Sequence, residues 1–218
     1  LSIELGTLLS TENNHVDLSN PDVTVNVEVR NRDVYVFTET YEGIGGLPID
    51  GTQRALCMFS GGIDSPVAAY QMLKRGCALD FFIVNLVGEK GFWQAARVYN
   101  YLISQYTHGY KPKLFVLDGT SLVDFLQKNT NDRMRQLALK IAFYKLGEKV
   151  AKENSLKAIV TGEALSQKST QTLSSLSFIE GYSDIPVLRP LIGFDKVEVM
   201  AIAEKIGTFA SSKRVKEY

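Results

Sequence analysis

Six consecutive residues, Ser60-Gly61-Gly62-Ile63-Asp64-Ser65, set two hydroxyls, two adjacent glycines and one carboxylate directly ahead of Pro66. That mixture suits the phosphates of a nucleotide. Glycines let the backbone take conformations closed to other residues and bring bare N–H groups up to an anion. A helix starting just downstream adds unpaired N–H donors and a partial positive charge, worth about 0.3–1 kcal/mol and up to ~2 kcal/mol where partly buried. Ser60 and Ser65 supply hydroxyl donors, and Pro66 fits a first helical turn, where its missing N–H costs nothing. Asp64 is the odd member, because a carboxylate repels phosphate. It makes sense with a magnesium ion between the two. The competing explanation is a serine-capped helix after a tight turn. For Ser-Gly-Gly alone that explanation wins; for the whole string between a strand and a helix, phosphate binding does. Neither GxxxxGK(S/T) nor GxGxxG occurs, and the loop holds no lysine, which disfavours phosphoryl transfer of the P-loop kind.

The elements that must position this loop follow a strand–helix rhythm from residue 55 onward. Ala55–Phe59 reads as a short apolar strand and Asp64–Arg75 as a helix stopped by Gly76. Leu79–Leu86 is a continuous apolar run, as in a strand covered on both faces. A helix over 93–106, a strand at Lys113–Leu117 and a long helix over 132–153 follow, the last with Leu137, Ile141, Tyr144 and Val150 toward the core. Gly147 inside it costs about 1 kcal/mol relative to Ala, which points to a close packing contact. Strands at Lys157–Thr161 and Pro186–Leu188 and a helix over Asp195–Ile206 complete the series. This alternation predicts an α/β fold with a parallel, doubly wound sheet, whose ligands lie at the carboxyl ends of the strands. Upstream the pattern differs. Residues 1–10 are apolar at helical spacing, residues 23–29 alternate as a half-buried strand, and Val34–Phe37 forms its hairpin partner after the turn at Asn31-Arg32-Asp33. Gly43–Pro48 reads as a linker, dividing a module over 1–47 from a domain over 48–218.

At 218 residues with 45% apolar and 22% charged side chains, the chain can bury a sizeable core and is not composed like a disordered one. No apolar run approaches the roughly 20 residues that span a bilayer. Cytoplasmic placement without a membrane is the expectation. Two cysteines, Cys57 and Cys77, make neither a disulfide framework nor a four-ligand zinc site; both are expected to be packing residues. The net charge of zero hides a division: residues 1–50 carry nine acidic against two basic side chains, a net of −7, and residues 51–218 carry fifteen against twenty-two, a net of +7. The larger module is suited to a polyanion. Lys145, Lys149 and Lys152 are expected to be merely solvated. The chain begins at Leu1 in what reads as mid-helix and is expected to lack an N-terminal part.

SGGIDS at this place resembles the pyrophosphatase loop of the N-type ATP pyrophosphatases (PP-loop enzymes), which cleave ATP between its α- and β-phosphates and adenylate an oxygen of their substrate. A second stretch, Thr161 to Thr172 (TGEALSQKSTQT), resembles the TGEALGQ-x-x-SQT segment of the tRNA 4-thiouridine synthetases, the ThiI family. Gly43–Pro48, Arg189-Pro190-Leu191 and Glu217-Tyr218 match in the same order, so the resemblance covers essentially the whole chain. It implies the C-terminal part of an RNA-binding THUMP domain over 1–47 and an adenine nucleotide alpha hydrolase-like domain after it. It further implies ATP held at Met58, Phe59, Ile83, Val84, Lys140, Gly162 and Gln171; the loop chemistry adds Ser60, Gly61 and Gly62 to these, with Asp64 and Ser65 expected in the chemistry and Mg2+ at Asp64. Lys168 and Arg189 are candidate contacts to phosphate or RNA. The plain alternatives are core packing for Met58, Phe59, Ile83 and Val84, a solvated helix position for Lys140 and a solvent-facing side chain for Lys168.

The implied activity is a tRNA uracil 4-sulfurtransferase. ATP adenylates O4 of the uridine at position eight of tRNA, and sulfur from a cysteine desulfurase persulfide or from sulfide displaces AMP. Some relatives also supply sulfur to the thiamine thiazole, and a homodimer is among the assemblies allowed. Two departures bear on this. Ser166 stands where the family usually has glycine, and Lys168 where it usually has a small apolar residue. The family's acceptor cysteine follows the segment matching Glu217-Tyr218, where this sequence stops, and no rhodanese domain is expected within it. The rival readings are another adenylating enzyme of tRNA and a nucleotide-dependent RNA-binding module without turnover.

Overall fold

The computed structural model describes residues 2–215, so the segment matching Glu217-Tyr218 lies outside the described residues. The chain divides into two compact units, Leu1–Gly45 and Gly46–Tyr218. The first contains helix α1 (Ser2–Leu9) and an antiparallel hairpin of β1 (Asn26–Arg30) and β2 (Asp33–Phe37), paired from Asn26↔Phe37 to Arg30↔Asp33. Asn31 turns the hairpin with φ +55, a left-handed conformation that asparagine tolerates. The half-buried strand expected over 23–29 is corrected here. The strand begins at Asn26, and Val23, Val25 and Val29 are exposed, with only Val27 of that face partly covered. Two strands alone offer no second layer against which the valine face could be buried.

The second unit is a five-stranded parallel sheet in the order β5-β4-β3-β6-β7. Its strands are β3 (Asp50–Met58), β4 (Cys77–Asn85), β5 (Leu114–Asp118), β6 (Ile159–Val160) and β7 (Val187–Leu188). Helices α2 (Asp64–Lys74), α3 (Gly88–Tyr106), α4 (Thr120–Asn129), α5 (Asp132–Glu153), α6 (Leu173–Glu180), α7 (Lys196–Lys205) and α8 (Phe209–Ser212) connect and cover them. Successive strand residues point to opposite faces, and both faces are buried. Ala55, Cys57, Leu79 and Phe81 pack with Val67 of α2, Leu102 of α3 and Val199 of α7. Leu56 and Phe82, on the other face, pack with Ala151 of α5 and Leu156. This two-sided burial is why β4 reads as an unbroken apolar run. Phe81 meets Phe59 and Tyr99 edge-on, with centroids 5.5 and 5.1 Å apart.

Gly147 is explained by the same packing: a Cβ there would lie 2.9 Å from the Met58 sulfur and 3.4 Å from Ile159. Three expectations shift. The helix read from residue 93 begins at Gly88, the strand read over 157–161 is only Ile159–Val160, and α4 and α6 occupy stretches not read as helical. From β3 the chain winds to β4 and β5 on one side and later to β6 and β7 on the other. The end of β3 is therefore a topological switch point, where open α/β sheets bind their ligands.

Candidate functional site

The loop 60–65 leaves the carboxyl end of β3 and runs into α2. Ile63, the residue before the helix, places no side-chain cap on it. The serine-capped helix offered as the alternative is thus not what forms. Instead the serine oxygens serve the loop itself. Ser65 Oγ accepts from the amides of Ser60 and Gly61, both at 3.2 Å, and Ser60 Oγ accepts from Gly62 at 3.3 Å. The amides expected to be bare therefore converge on hydroxyl oxygens, through bonds at the long end of the normal range. An incoming phosphate oxygen would compete with a neutral acceptor. Gly61 has φ +78, and a Cβ on it would come within 2.6 Å of the Ala95 Cα of α3. Its glycine is demanded by the turn and by helix packing as well as by any ligand.

A cleft of about 210 Å³ opens beside this loop at the strand ends. Met58, Phe59, Ser60, Asp64, Ser65, Val84, Lys140, Gly162, Lys168 and Gln171 all line it. Ile83 lines an adjoining cavity, and Gly61, Gly62 and Arg189 are not among the lining residues of either. Phe59 and Ile83 have buried side chains, consistent with the core role allowed for them, while their main chains lie at the strand ends. The β3–β4 ladder stops at Met58↔Phe82, with the Phe59 amide donating to the Phe82 carbonyl at 2.9 Å. The edge of β4 beyond it, at Val84, faces the cleft instead of a strand.

Gly162 follows β6, and a Cβ there would lie 3.0 Å from the Ser65 amide nitrogen. Glycine keeps that helix-start amide uncovered. Gln171 is 4% exposed, and its Oε1 is buried with no hydrogen-bond partner among the described residues. The loop holds it in place: Gln171 N donates to Lys168 O at 2.8 Å, and Ser166 N donates to Gln171 O at 2.9 Å. Ser166 takes φ +61, the physical reason a glycine suits this position better.

Lys140 is not a solvated helix residue. Its ammonium donates to Glu163 Oε1 at 2.5 Å, with a side chain only 19% exposed. Glu163 Oε2 accepts from Tyr144 Oη at 2.6 Å, Arg189 Nε at 2.9 Å and Thr161 Oγ1 at 3.1 Å. Burial pushes the Glu163 carboxyl up, but Lys140 and the hydrogen bonds from Lys140, Tyr144 and Arg189 outweigh it and hold the group below the usual range. Burial and the neighbouring carboxylate push the Tyr144 hydroxyl well above an ordinary phenol, so it remains a donor. Arg189 also donates to Glu180 Oε2 at 2.5 Å and to Tyr144 Oη at 3.0 Å. Its guanidinium is engaged in this internal network, away from the cleft lining where a phosphate contact was expected.

Glu163 is the residue the sequence reading passed over. The signal available was a carboxylate two residues past a buried strand, beside a lysine on the apolar stretch LALKIAFY. Lys145 and Lys152 also do more than meet solvent, since both pair with the buried Glu148. Cys57 and Cys77 are buried, and burial pushes both thiols up, which makes neither a ready thiolate. Among the described residues no cluster of three or more His, Cys, Asp or Glu is placed to hold a metal ion. Asp64 lines the cleft with the loop hydroxyls, and one carboxylate completed by substrate phosphates is a donor set that suits magnesium. No described helix is long and apolar enough to cross a membrane.

Comparison with known proteins places this geometry. Residues 51–218 match the family model for the thiamine biosynthesis protein (ThiI), and residues 5–39 match that of the THUMP domain. The chain is 36% identical over its whole length to a tRNA sulfurtransferase of Pyrobaculum aerophilum, covering 45% of that protein. It is 40% identical over 98% of its length to a tRNA sulfurtransferase of Desulfurococcus amylolyticus, again covering 45%. The chain thus spans about half the length of the curated relatives it matches. Among solved structures it resembles a 4-thiouridine synthetase in complex with RNA and bound ATP, with a TM-score of 0.85 and 34% identity, covering 96% of this chain and 55% of that one.

Proposed function

The chain belongs to the thiamine biosynthesis protein (ThiI) family, and from that membership we propose that it carries the ATP-dependent step of a tRNA uracil 4-sulfurtransferase. The nucleotide lies in the cleft between the 60–65 loop and the 161–171 segment. Main-chain groups at Met58–Phe59 and Ile83–Val84 meet the adenine, while the loop amides, Ser60, Ser65 and Lys140 meet the phosphates. Lys140 reaches the phosphates only by loosening its pairing with Glu163, which keeps the ammonium ordered beforehand. Asp64 would hold a magnesium ion together with phosphate oxygens, and such an ion, when bound, neutralises charge on the departing pyrophosphate.

The chemistry this supports is adenylation followed by displacement. A lone pair of uracil O4 attacks the α-phosphorus, forming an O–P bond as the bond to pyrophosphate breaks, and the N3 proton is lost. Once a phosphate oxygen displaces the serine hydroxyls they now meet, the loop amides join the α2 terminus in meeting the charge that develops on the leaving group. Hydrosulfide or a persulfide sulfur then adds at C4, and AMP departs with the C4–O electrons. With hydrosulfide, the S–H proton moves to N3 and gives 4-thiouridine directly. With a persulfide, a thiolate must next cleave the S–S bond and leave as a disulfide.

The observation that carries this reading is Gln171: a buried amide oxygen without a donor among the described residues, in the cleft that begins at a helix start with no side-chain cap. Such a group is costly unless a ligand completes it. The test replaces Asp64 with Ala and follows tRNA-dependent pyrophosphate release. Release is expected to fall at least about a hundredfold, the scale on which one charge-stabilising group acts in phosphate chemistry. Release at the wild-type rate sinks the metal role. Normal 4-thiouridine in tRNA from cells lacking the protein sinks the assignment.

A further inference from the structure

The hollow at the strand ends is double. Next to the nucleotide cleft lies a second cavity of about 240 Å³, and the two share Ser60, Val84, Lys140, Phe143 and Lys168. Of the groups assigned to ATP that line either hollow, all but Ile83 line the first cavity. Ser60, Ile83, Val84 and Lys140 also border the second cavity, but its far side, from Asn85 to Phe92, carries no group assigned to ATP, and it meets the first along the wall where the phosphates would lie. Beyond that wall it is bounded by Asn85 at the end of β4, by Leu86 and Val87 after it, by Phe92 of α3 and by Gln136 and Leu139 of α5. Aromatic and aliphatic walls with a few amides suit a flat heteroaromatic ring that must be read along one hydrogen-bonding edge.

We propose that this second cavity is the acceptor-base pocket, which receives the unstacked uracil, and that Asn85 reads the O4 edge of that base. The inference rests on the adenylation reading given above. Asn85 ends β4, and its backbone is fixed by pairing with Asp118 and by the Gly119 amide, which donates to the Asn85 carbonyl at 2.9 Å. Its side-chain Oδ1 accepts from the Val87 amide at 3.3 Å. That bond sets which way the amide faces, with oxygen toward the loop. The nitrogen, which makes no bond to another described residue, is the end left for a ligand. A donor there meets the carbonyl O4 of uracil, whereas cytosine would oppose it with an amino group. The same donor keeps O4 beside the shared wall, where the α-phosphorus must be approached. Extruding a base from stacked RNA takes a few kcal/mol, and Phe92, with the half-exposed Trp93 ring 5.3 Å away, offers aromatic surface at the rim.

The test is Asn85→Asp in the full protein, a near-isosteric change that keeps the acceptor for Val87 and removes the donor. Three quantities are measured: ATP affinity without tRNA, pyrophosphate release with tRNA, and affinity for tRNA carrying U or C at the target position, with a non-hydrolysable ATP analogue present. The wild-type protein is expected to favour U over C by about tenfold, the scale of one buried hydrogen bond. In the variant that preference is expected to vanish or reverse, and kcat/KM for release to fall about tenfold or more, with ATP affinity within twofold of wild type. A variant that keeps both the U preference and the release rate overturns the pocket while leaving the adenylation reading intact. Wild-type protein that releases no pyrophosphate with the U-containing tRNA overturns that reading, and this inference with it.

Discussion

At the scale of single residues, the most consequential side chain is Glu163, which joins Lys140 in the cleft to Arg189, Tyr144 and Thr161 behind it. Replacing it with Gln leaves the ammonium of Lys140 and the Nε of Arg189 without their anion. Removing one partner from a buried pair typically costs about 3–5 kcal/mol. Because Arg189 keeps Glu180, a loss near the lower figure is expected in urea denaturation. The pH dependence follows from the depressed carboxyl. A group bound less tightly by protons in the folded state stabilises fully above its unfolded value and loses that contribution as pH falls through the folded one. The gap between wild type and Glu163→Gln should be constant above about pH 5 and narrow as the solution is acidified below about pH 4. The loop glycines, Asp64 and Lys140 are visible in the sequence because their types are improbable together or conspicuous in place. Glu163 is not, since what makes it special arrives from segments far apart in the chain, at residues 140, 144 and 189.

Among the elements, α2 and α3 are held at a distance set by Gly61, over which Ala95 packs. Gly61→Ala adds a methyl group 2.6 Å from a backbone carbon at a φ of +78. Overpacking and a left-handed alanine together should remove about 2–4 kcal/mol, read as a lowered midpoint in thermal unfolding. Most of the sheet was legible: β4 is apolar throughout because helices cover it on both sides, and α5 shows its apolar positions at helical spacing. The helices α4 and α6 were not, for a physical reason. Of α4 only Leu126 is buried, and α6 buries only Leu176 and Ile179 within a serine-rich stretch. Elements that bury so little carry little periodic signal. The short β6 and β7 were legible as apolar runs, but their ends are set by hydrogen bonding to neighbours that composition does not reveal.

For the molecule as a whole, charge is the property that sequence reports best. The excess of seven positive charges after residue 50 predicts that tRNA affinity of the full protein falls linearly on a log–log plot against salt. A fall of at least about tenfold between 50 and 200 mM is expected in filter binding or fluorescence anisotropy; an affinity insensitive to salt would count against a phosphate-tracking surface. The order of the strands has a different consequence. One wall of the nucleotide cleft is built from residues 58–65 and the facing wall from residues 161–171, which lie across the switch at β3. Neither wall alone makes a hollow. A chain emerging from the ribosome therefore acquires the capacity to bind nucleotide late, when β6 has docked beside a strand made a hundred residues earlier. The formation of this hollow is in this sense a mark that the 161–171 segment has been made and docked, and copies stopped before it would lack the facing wall.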